Sequence, residues 1–320
     1  MNTKGADKDG VDDMLCQITF ENFKSFKKQA LLDLFAEDLQ EHEKSLIIDP
    51  YDGESFLPVI AIYGPKAGKQ DIIEAFTHLT QKLFLSKASD ATLEKTTGTF
   101  DILFRIDQME YRYQQIVSNA TFKEENLYSK DLLTHECFII FERNVKDIYM
   151  NNQFGSIKDF HTNSTMPLLT YLKIHNENRI IQDVFTWFSE CQILKRDEIN
   201  EEMLLDSLHN GNLVVAQNID TQFSTEAFRN IIGLFKNPNV NKNKAQLIFT
   251  TDDTSIMNSA VLQRDEIWFS AFNKKNQSKL YSLVEFKKDS NTKEFEGNYA
   301  KRYSEGRYGA DPDPKQGGNP

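Results

Sequence analysis

Residues 57–76 read LPVIAIYGPKAGKQDIIEAF. Phe56 to Tyr63 is an apolar run rich in β-branched side chains, which predicts a buried strand. Gly64 to Gln70 then read as a short Gly/Pro/Lys loop. Beyond it Ile72, Ile73, Phe76, Leu79, Leu83 and Phe84 fall at helical spacing. A strand, a glycine-bearing loop and a helix in that order form the unit that can cradle a phosphate. The loop pattern is GxxxxGK[ST]: backbone N–H groups wrap the phosphates, the Lys pairs with their oxygens and the hydroxyl holds magnesium. In Gly64-Pro65-Lys66-Ala67-Gly68-Lys69-Gln70 only three residues separate the two glycines, so the loop is one residue short. Gln70 stands where Ser or Thr belongs. Its amide can offer magnesium a neutral oxygen, but a shortened loop misplaces it. Taken alone, the segment fits a plain strand–turn–helix equally well.

Working outward, MLCQITFENFKSF (14–26) reads as a strand and turn. From Thr99 to Val117 the alternation of Phe100, Ile102, Phe104 and Ile106, then Tyr111 and Tyr113, predicts strands. Further strands are expected at Cys137–Arg143, Ile148–Met150, Leu213–Ala216 (after Asn210-Gly211), Gln246–Thr250, Glu266–Phe269 and Leu280–Val284. Helices are expected over Pro167–Trp187 and 225–236. Strands alternating with helices argue for an α/β core carrying a β-rich insertion. The expected organisation is a polar, disordered tail at 1–13, one head at 14–310 with a β-rich and helical insertion over about 87–200, and a turn-rich, flexible tail at 311–320. Met14 is a candidate natural start.

Composition narrows the function classes. The chain has 320 residues, 39% hydrophobic and 12% aromatic, with 24 Phe, enough for a substantial core. A net charge of −11 argues against a general nucleic-acid coat protein, whose affinity comes from Lys and Arg on phosphates. Cys16, Cys137 and Cys191 are far apart and form no CxxC or Cys/His cluster, so neither disulfides nor a zinc site is expected. A reducing cytoplasm is the default location. No apolar run approaches the length of a membrane span.

The wider pattern resembles a known family, the abortive-infection-type AAA/ABC-like ATP-binding proteins, related to the OLD, SMC and recombination-repair ATPase heads. MLCQITFENFKSF is similar to the family's first strand and NF-x-SF turn, and residues 57–76 to its strand, P-loop and helix. Phe141-Glu142-Arg143, Ile180–Ile193 with Trp187-Phe188, AQLIFTTDDTS (245–255), Gln263–Phe269 and Glu305–Ala310 resemble its later landmarks in order. The resemblance implies a P-loop ABC-type ATPase head with a β-rich lobe and a shortened helical insertion.

It also implies that the head is degenerate. Gln217 and Asn218 stand where the family's Walker B Asp-Glu pair would order magnesium and polarise water, and an amide is no general base near pH 7. Asp252 follows Thr250-Thr251 where the family has its switch histidine. The signature turn should fall between Leu194 and Leu204, which contain neither Gly nor Ser. Asp220 matches the family's D-loop aspartate. One lost catalytic group typically costs about 2.7–4 kcal/mol of transition-state stabilisation, and five elements are altered here. The expectation is therefore a pseudo-ATPase with no catalytic residue, no resident metal and no required cofactor. Gly64, Gly68, Lys69 and Gln70 could at most retain weak ATP/Mg binding, with Gln217, Asn218, Asp220 and Asp252 around them. The expected partner is a protein, a second copy or an ATPase or nuclease paralogue, in an anti-phage defence setting. The alternative is a residual ATP-binding switch or slow ATPase acting with a nuclease or DNA.

Other residues carry competing readings. The six histidines (His42, His78, His135, His161, His175, His209) show no HxH or HExxH spacing and read as surface or helix residues. Asp252-Asp253 could hold a nuclease metal or simply form an acidic turn. Lys242 and Lys244 read as a solvated loop. Arg105, Tyr111, Arg112 and Tyr113 could interleave charge and stacking for nucleic acid, or reflect a half-exposed strand. Glu305–Tyr308 could be a partner contact or pack on its own fold.

Overall fold

The computed structural model describes residues 13–39, 45–81, 83, 96–119, 121–163, 165–286 and 299–310. Residues 1–12 and 311–320 of the expected tails, and Phe84 of the expected helix, lie outside them. The chain opens with β1 (Met14–Glu21) and β2 (Ala30–Asp33), then a hairpin of β3 (Ile47–Ile48) and β4 (Ser55–Phe56), then β5 (Val59–Tyr63) and α1 (Lys66–Gln81). A meander follows: β6 (Gly98–Ile106), β7 (Met109–Ser118), β8 (Thr121–Asp131), β9 (Cys137–Asn144) and β10 (Ile148–Met150). Next come α2 (Leu168–His175), α3 (Arg179–Glu190), β11 (Gln192–Leu194), α4 (Glu201–Asn210) and β12 (Leu213–Ala216). The described chain finishes with α5 (Thr225–Lys236), β13 (Gln246–Thr250), β14 (Ile267–Phe272), β15 (Ser278–Ser282) and α6 (Tyr299–Ser304).

The fold is mixed α/β. Among the described residues, one sheet of seven strands runs β10-β9-β8-β7-β6-β1-β2 with antiparallel pairing throughout. The second has six strands in the order β11-β12-β13-β5-β14-β15, parallel except for β15. Strand β5 sits inside it, between β13 and β14. Its alternation sorts two cores: Ile60 and Ile62 face one, Val59, Ala61 and Tyr63 the other. The first core takes in Ile72, Ile73 and Phe76 of α1, Val184 and Phe188 of α3, and the inner face of the antiparallel sheet. There Phe104 stacks on Trp187 with centroids 4.1 Å apart. The second core is closed by Leu204 and Leu208 of α4, Phe228, Ile232 and Phe235 of α5, and Tyr299 and Tyr303 of α6.

A buried polar joint pins α2 to the antiparallel sheet. Glu125 on β8 is fully buried and accepts from the backbone N–H of Leu168 (2.7 Å) and Leu169 (3.0 Å) at the start of α2. It also accepts from Tyr113 Oη at 2.8 Å and Arg143 Nη1 at 3.1 Å. The carboxylate thus caps a helix N-terminus, where the dipole favours negative charge.

The structure departs from the sequence expectations at several points. The apolar run 56–63 is split between β4 and β5, because Pro58 has no N–H to donate to a ladder. The helices expected over 167–187 do form, as α2 and α3, separated at 176–178, where Asn178 caps the second by accepting from Ile180 N. Strand β8 is hidden in sequence by Lys123-Glu124-Glu125, which interrupts the apolar alternation. Strands β2 and β11 and helices α4 and α6 were also not foreseen.

Candidate functional site

The carboxyl ends of β5, β12 and β13 lie side by side, because those strands are parallel neighbours. In open α/β sheets that edge is where ligands gather. The structure brings the sequence-picked residues from all three strands to it.

The connection after β5 is shorter than expected. Only Gly64 and Pro65 lie outside regular structure; α1 already starts at Lys66, so Gly68, Lys69 and Gln70 are helical rather than loop. The backbone N–H of Lys69 donates to the Pro65 carbonyl at 3.2 Å. That donor is consumed by the helix. Proline at this position favours early helix entry, since its fixed φ suits a first turn.

The two glycines have packing reasons of their own. Gly64 takes φ +120°, and a Cβ there would lie 1.9 Å from the Ser270 carbonyl oxygen. A Cβ on Gly68 would lie 1.9 Å from Ser270 Oγ. Both permit α1 to enter close against β14. Ser25, in the turn after β1, donates its backbone N–H to Asp71 Oδ2 at 3.0 Å, and its hydroxyl shares a 2.7 Å hydrogen bond with Ser278. The NF-x-SF turn and the start of the second turn of α1 are therefore stapled together.

Lys69 is buried and its ammonium is already engaged. It donates to the Thr251 carbonyl at 3.0 Å and pairs with the Asp252 carboxylate. The lysine side chain is 3% exposed and the aspartate 61%. Asp252 thus places an anion on the one cation that a phosphate would need. A second anion 4 Å from it would meet a repulsion of about 4 kcal/mol at an effective dielectric of 20. Gln70 points along the helix surface and donates to Glu74 Oε1 at 2.9 Å.

Of the remaining positions, Asn218 is held through its side chain and Gln217 through its backbone. Gln217 donates its backbone N–H to the Leu194 carbonyl at 2.9 Å. Asn218 adopts a left-handed conformation, φ 51°, which suits asparagine. Its N–H donates to Thr250 Oγ1 at 2.9 Å, and Thr250 Oγ1 donates to Asn218 Oδ1 at 3.1 Å. Asp220 sits in the following single turn. Its Oδ1 is buried without a hydrogen-bond partner among the described residues. Tyr63 is fully buried and donates to the Asp253 carbonyl at 3.2 Å. Burial, then the charges of Asp253, Tyr303, Asp220 and Asp252, push its phenol well above the usual tyrosine range.

Other sequence candidates fall elsewhere. The 194–204 stretch forms a short turn and then α4, capped by Asn200, which accepts from Met203 N at 2.9 Å. Arg105, Tyr111 and Tyr113 are buried while Arg112 is exposed, so these four form no common surface for nucleic acid. Within Glu305–Ala310, Tyr308 stacks on Phe269 with centroids 5.1 Å apart and accepts from Tyr281 Oη at 2.5 Å. That segment packs on its own fold through Tyr308 and Ala310, leaving Glu305 and Arg307 exposed. The Gln263–Phe269 landmark is structural too: Glu266 is buried against Lys236 Nζ at 2.6 Å, and Arg264 Nη2 donates to the Phe286 carbonyl at 2.9 Å. His78 stacks on Phe100 at 4.3 Å. No group of three or more His, Cys, Asp or Glu among the described residues could hold a metal, and no described helix is long and apolar enough to cross a membrane.

Sequence reasoning located Lys69 and Asp252 but not their pairing, because 183 positions separate them. It missed Ser25, Asp71 and Ser270, which explain the shape of the connection. No known protein-family model matches this chain, and no curated protein matches it.

Proposed function

We propose that this chain is a catalytically silent, P-loop-ATPase-like module that works through protein contacts as a structural or regulatory subunit. The observation that carries the reading is the Lys69–Asp252 ion pair beside a two-residue Gly64–Pro65 connection. Such a pair neutralises the lysine, and so short a connection leaves only first-turn N–H groups of α1, not a loop that wraps a phosphate. Amides at Gln217 and Asn218 supply neither a general base nor an anionic magnesium anchor. The sequence resemblance supports the same view. It points to an ABC-type ATPase ancestry, a second copy or an ATPase or nuclease paralogue as partner, and an anti-phage setting in the cytoplasm.

Steady-state phosphate release from ATP and magnesium tests the reading. The expected rate equals that of a Lys69→Ala control; turnover abolished by that substitution would overturn it. A second reading, a residual nucleotide switch, draws on the 61% exposure of Asp252, which leaves that side chain room to swing away from Lys69. Thermal stability measured across an ATP/Mg titration separates the two. A melting temperature that climbs with ligand favours the switch, and an unchanged one favours the scaffold.

A further inference from the structure

The outer face of the antiparallel sheet holds an open cavity of about 490 Å³. The strand register builds it. Leu103, Arg112, Tyr128 and Ile139 are direct cross-strand neighbours over β6, β7, β8 and β9. One row along, Glu110, Lys130 and Cys137 are direct neighbours too. Residues two apart on a strand share a face, so both rows line the same hollow. Its volume falls within the range of about 300–1,000 Å³ typical of small-molecule sites.

Pairing off the charges shows what the cavity lacks. Arg112 is committed to Asp101, with Nε 3.0 Å from each carboxylate oxygen. Glu110 is committed to Arg105, whose Nη2 lies 3.0 Å away. Asp52, close enough to act on Lys130, is held by the same guanidinium at 2.8 Å. The Lys130 ammonium forms no hydrogen bond or ion pair among the described residues. Two residues along β8 from it stands the Tyr128 ring, oriented by a 2.9 Å hydrogen bond from its hydroxyl to Glu142, with Ile139 its direct neighbour on one side and Leu103 beyond Arg112 on the other.

We infer that this cavity is a binding site for a small aromatic anion, its ring lying on Tyr128 between Leu103 and Ile139 and its acidic group meeting Lys130. The site is independent of the Lys69 region, which belongs to the other sheet.

Cys137 provides a local reporter. It is exposed and lines the cavity, whereas Cys16 is buried and Cys191 is half-buried. The experiment measures alkylation of each thiol by iodoacetamide, read by peptide mass, on the full chain. The probes are 2-naphthoate and its cationic counterpart, 2-naphthylmethylammonium. Saturating naphthoate is expected to slow Cys137 alkylation at least tenfold without changing Cys191, while the cation leaves both rates unchanged. Lys130→Gln is expected to raise the naphthoate concentration needed for half-protection at least tenfold, and Leu103→Trp to abolish protection by filling the hollow. No protection by naphthoate, or equal protection by anion and cation, overturns the inference. The anion–cation comparison needs only the wild-type chain, so it holds even if a variant misfolds.

Discussion

Lys69 and Asp252, 183 positions apart, form an ion pair where β5 and β13 end side by side. The lysine is buried and the aspartate mostly exposed, so the two halves of the pair are not equivalent. Removing Asp252 strands a buried ammonium with one carbonyl partner. Removing the Lys69 charge leaves a carboxylate that water can reach.

That asymmetry predicts an order. Asp252→Ala should destabilise the fold by about 1–2 kcal/mol, the worth of a charged hydrogen bond discounted for its exposed partner. Lys69→Met should cost less, because no buried charge remains. Urea unfolding midpoints of the two variants check this. A larger loss in Lys69→Met would show that the ammonium is needed for something beyond the pair.

Gly68 and Ser270 form a second testable pair. A Cβ at Gly68 collides with Ser270 Oγ, so Gly68→Ala should cost about 1–3 kcal/mol through overpacking. Ser270→Ala should cost little, because Ser270 Oγ is buried without a hydrogen-bond partner among the described residues. The double variant should recover most of the loss, giving a favourable coupling in a double-mutant cycle. Additive losses would mean that the remaining close contacts of a Cβ at Gly68, Ser278 Oγ at 3.1 Å and Ser270 Cβ at 3.2 Å, carry the cost instead of Ser270 Oγ.

Glu125 is a costly carboxylate to lose. Glu125→Ala would leave Arg143, which is 1% exposed, without its buried carboxylate and uncap α2. The expected loss is about 3–5 kcal/mol. Replacing both charges, with Glu125→Leu and Arg143→Met, should be less harmful than Glu125→Ala alone. Denaturant unfolding of the wild type and the two variants decides it, and equal losses in both variants would locate the damage in packing.

Alkaline pH should unfold the protein cooperatively. Burial, followed by the hydrogen bond to Glu142, pushes Tyr128 up to about 12, and burial raises Tyr63 and Tyr113 well above the usual range. Unfolded tyrosines release their protons near pH 10. The stability from these shifts is therefore fully present below about pH 10 and falls as pH rises toward the folded values. Phenolate absorbance at 295 nm and circular dichroism, followed together, should show a delayed rise in ionisation coincident with loss of structure. Full ionisation with the fold intact would contradict the burial of Tyr63 and Tyr113.

Much of the fold was legible from local pattern. The β-branched run at 59–63, the alternation at 100–106 and the apolar spacing at 225–236 each carry the periodicity of the element they form, so β5, β6 and α5 could be read directly. Strand β8 could not, because Glu125 faces inward as a charge whose partners, Arg143 and the start of α2, arrive later in the chain. The candidate site divides in the same way. Residues 64–70 announced a phosphate-loop-like segment, yet the helix begins at Lys66, with Gly64 and Gly68 packed close against Ser270 of β14 and Ser25 bonded to Asp71.

By itself the sequence determined the chemistry available at the edge of the parallel sheet: the lysine Lys69 after the two glycines, two amides where acids would act, and an aspartate after Thr251. Side-chain identity is local information and needs no fold to be read. Tertiary structure alone decided that the lysine and aspartate meet, and that the glycines serve close packing against β14. Contacts across so many residues depend on strand order and register, which are settled by burial of the whole core rather than by any short stretch of chain.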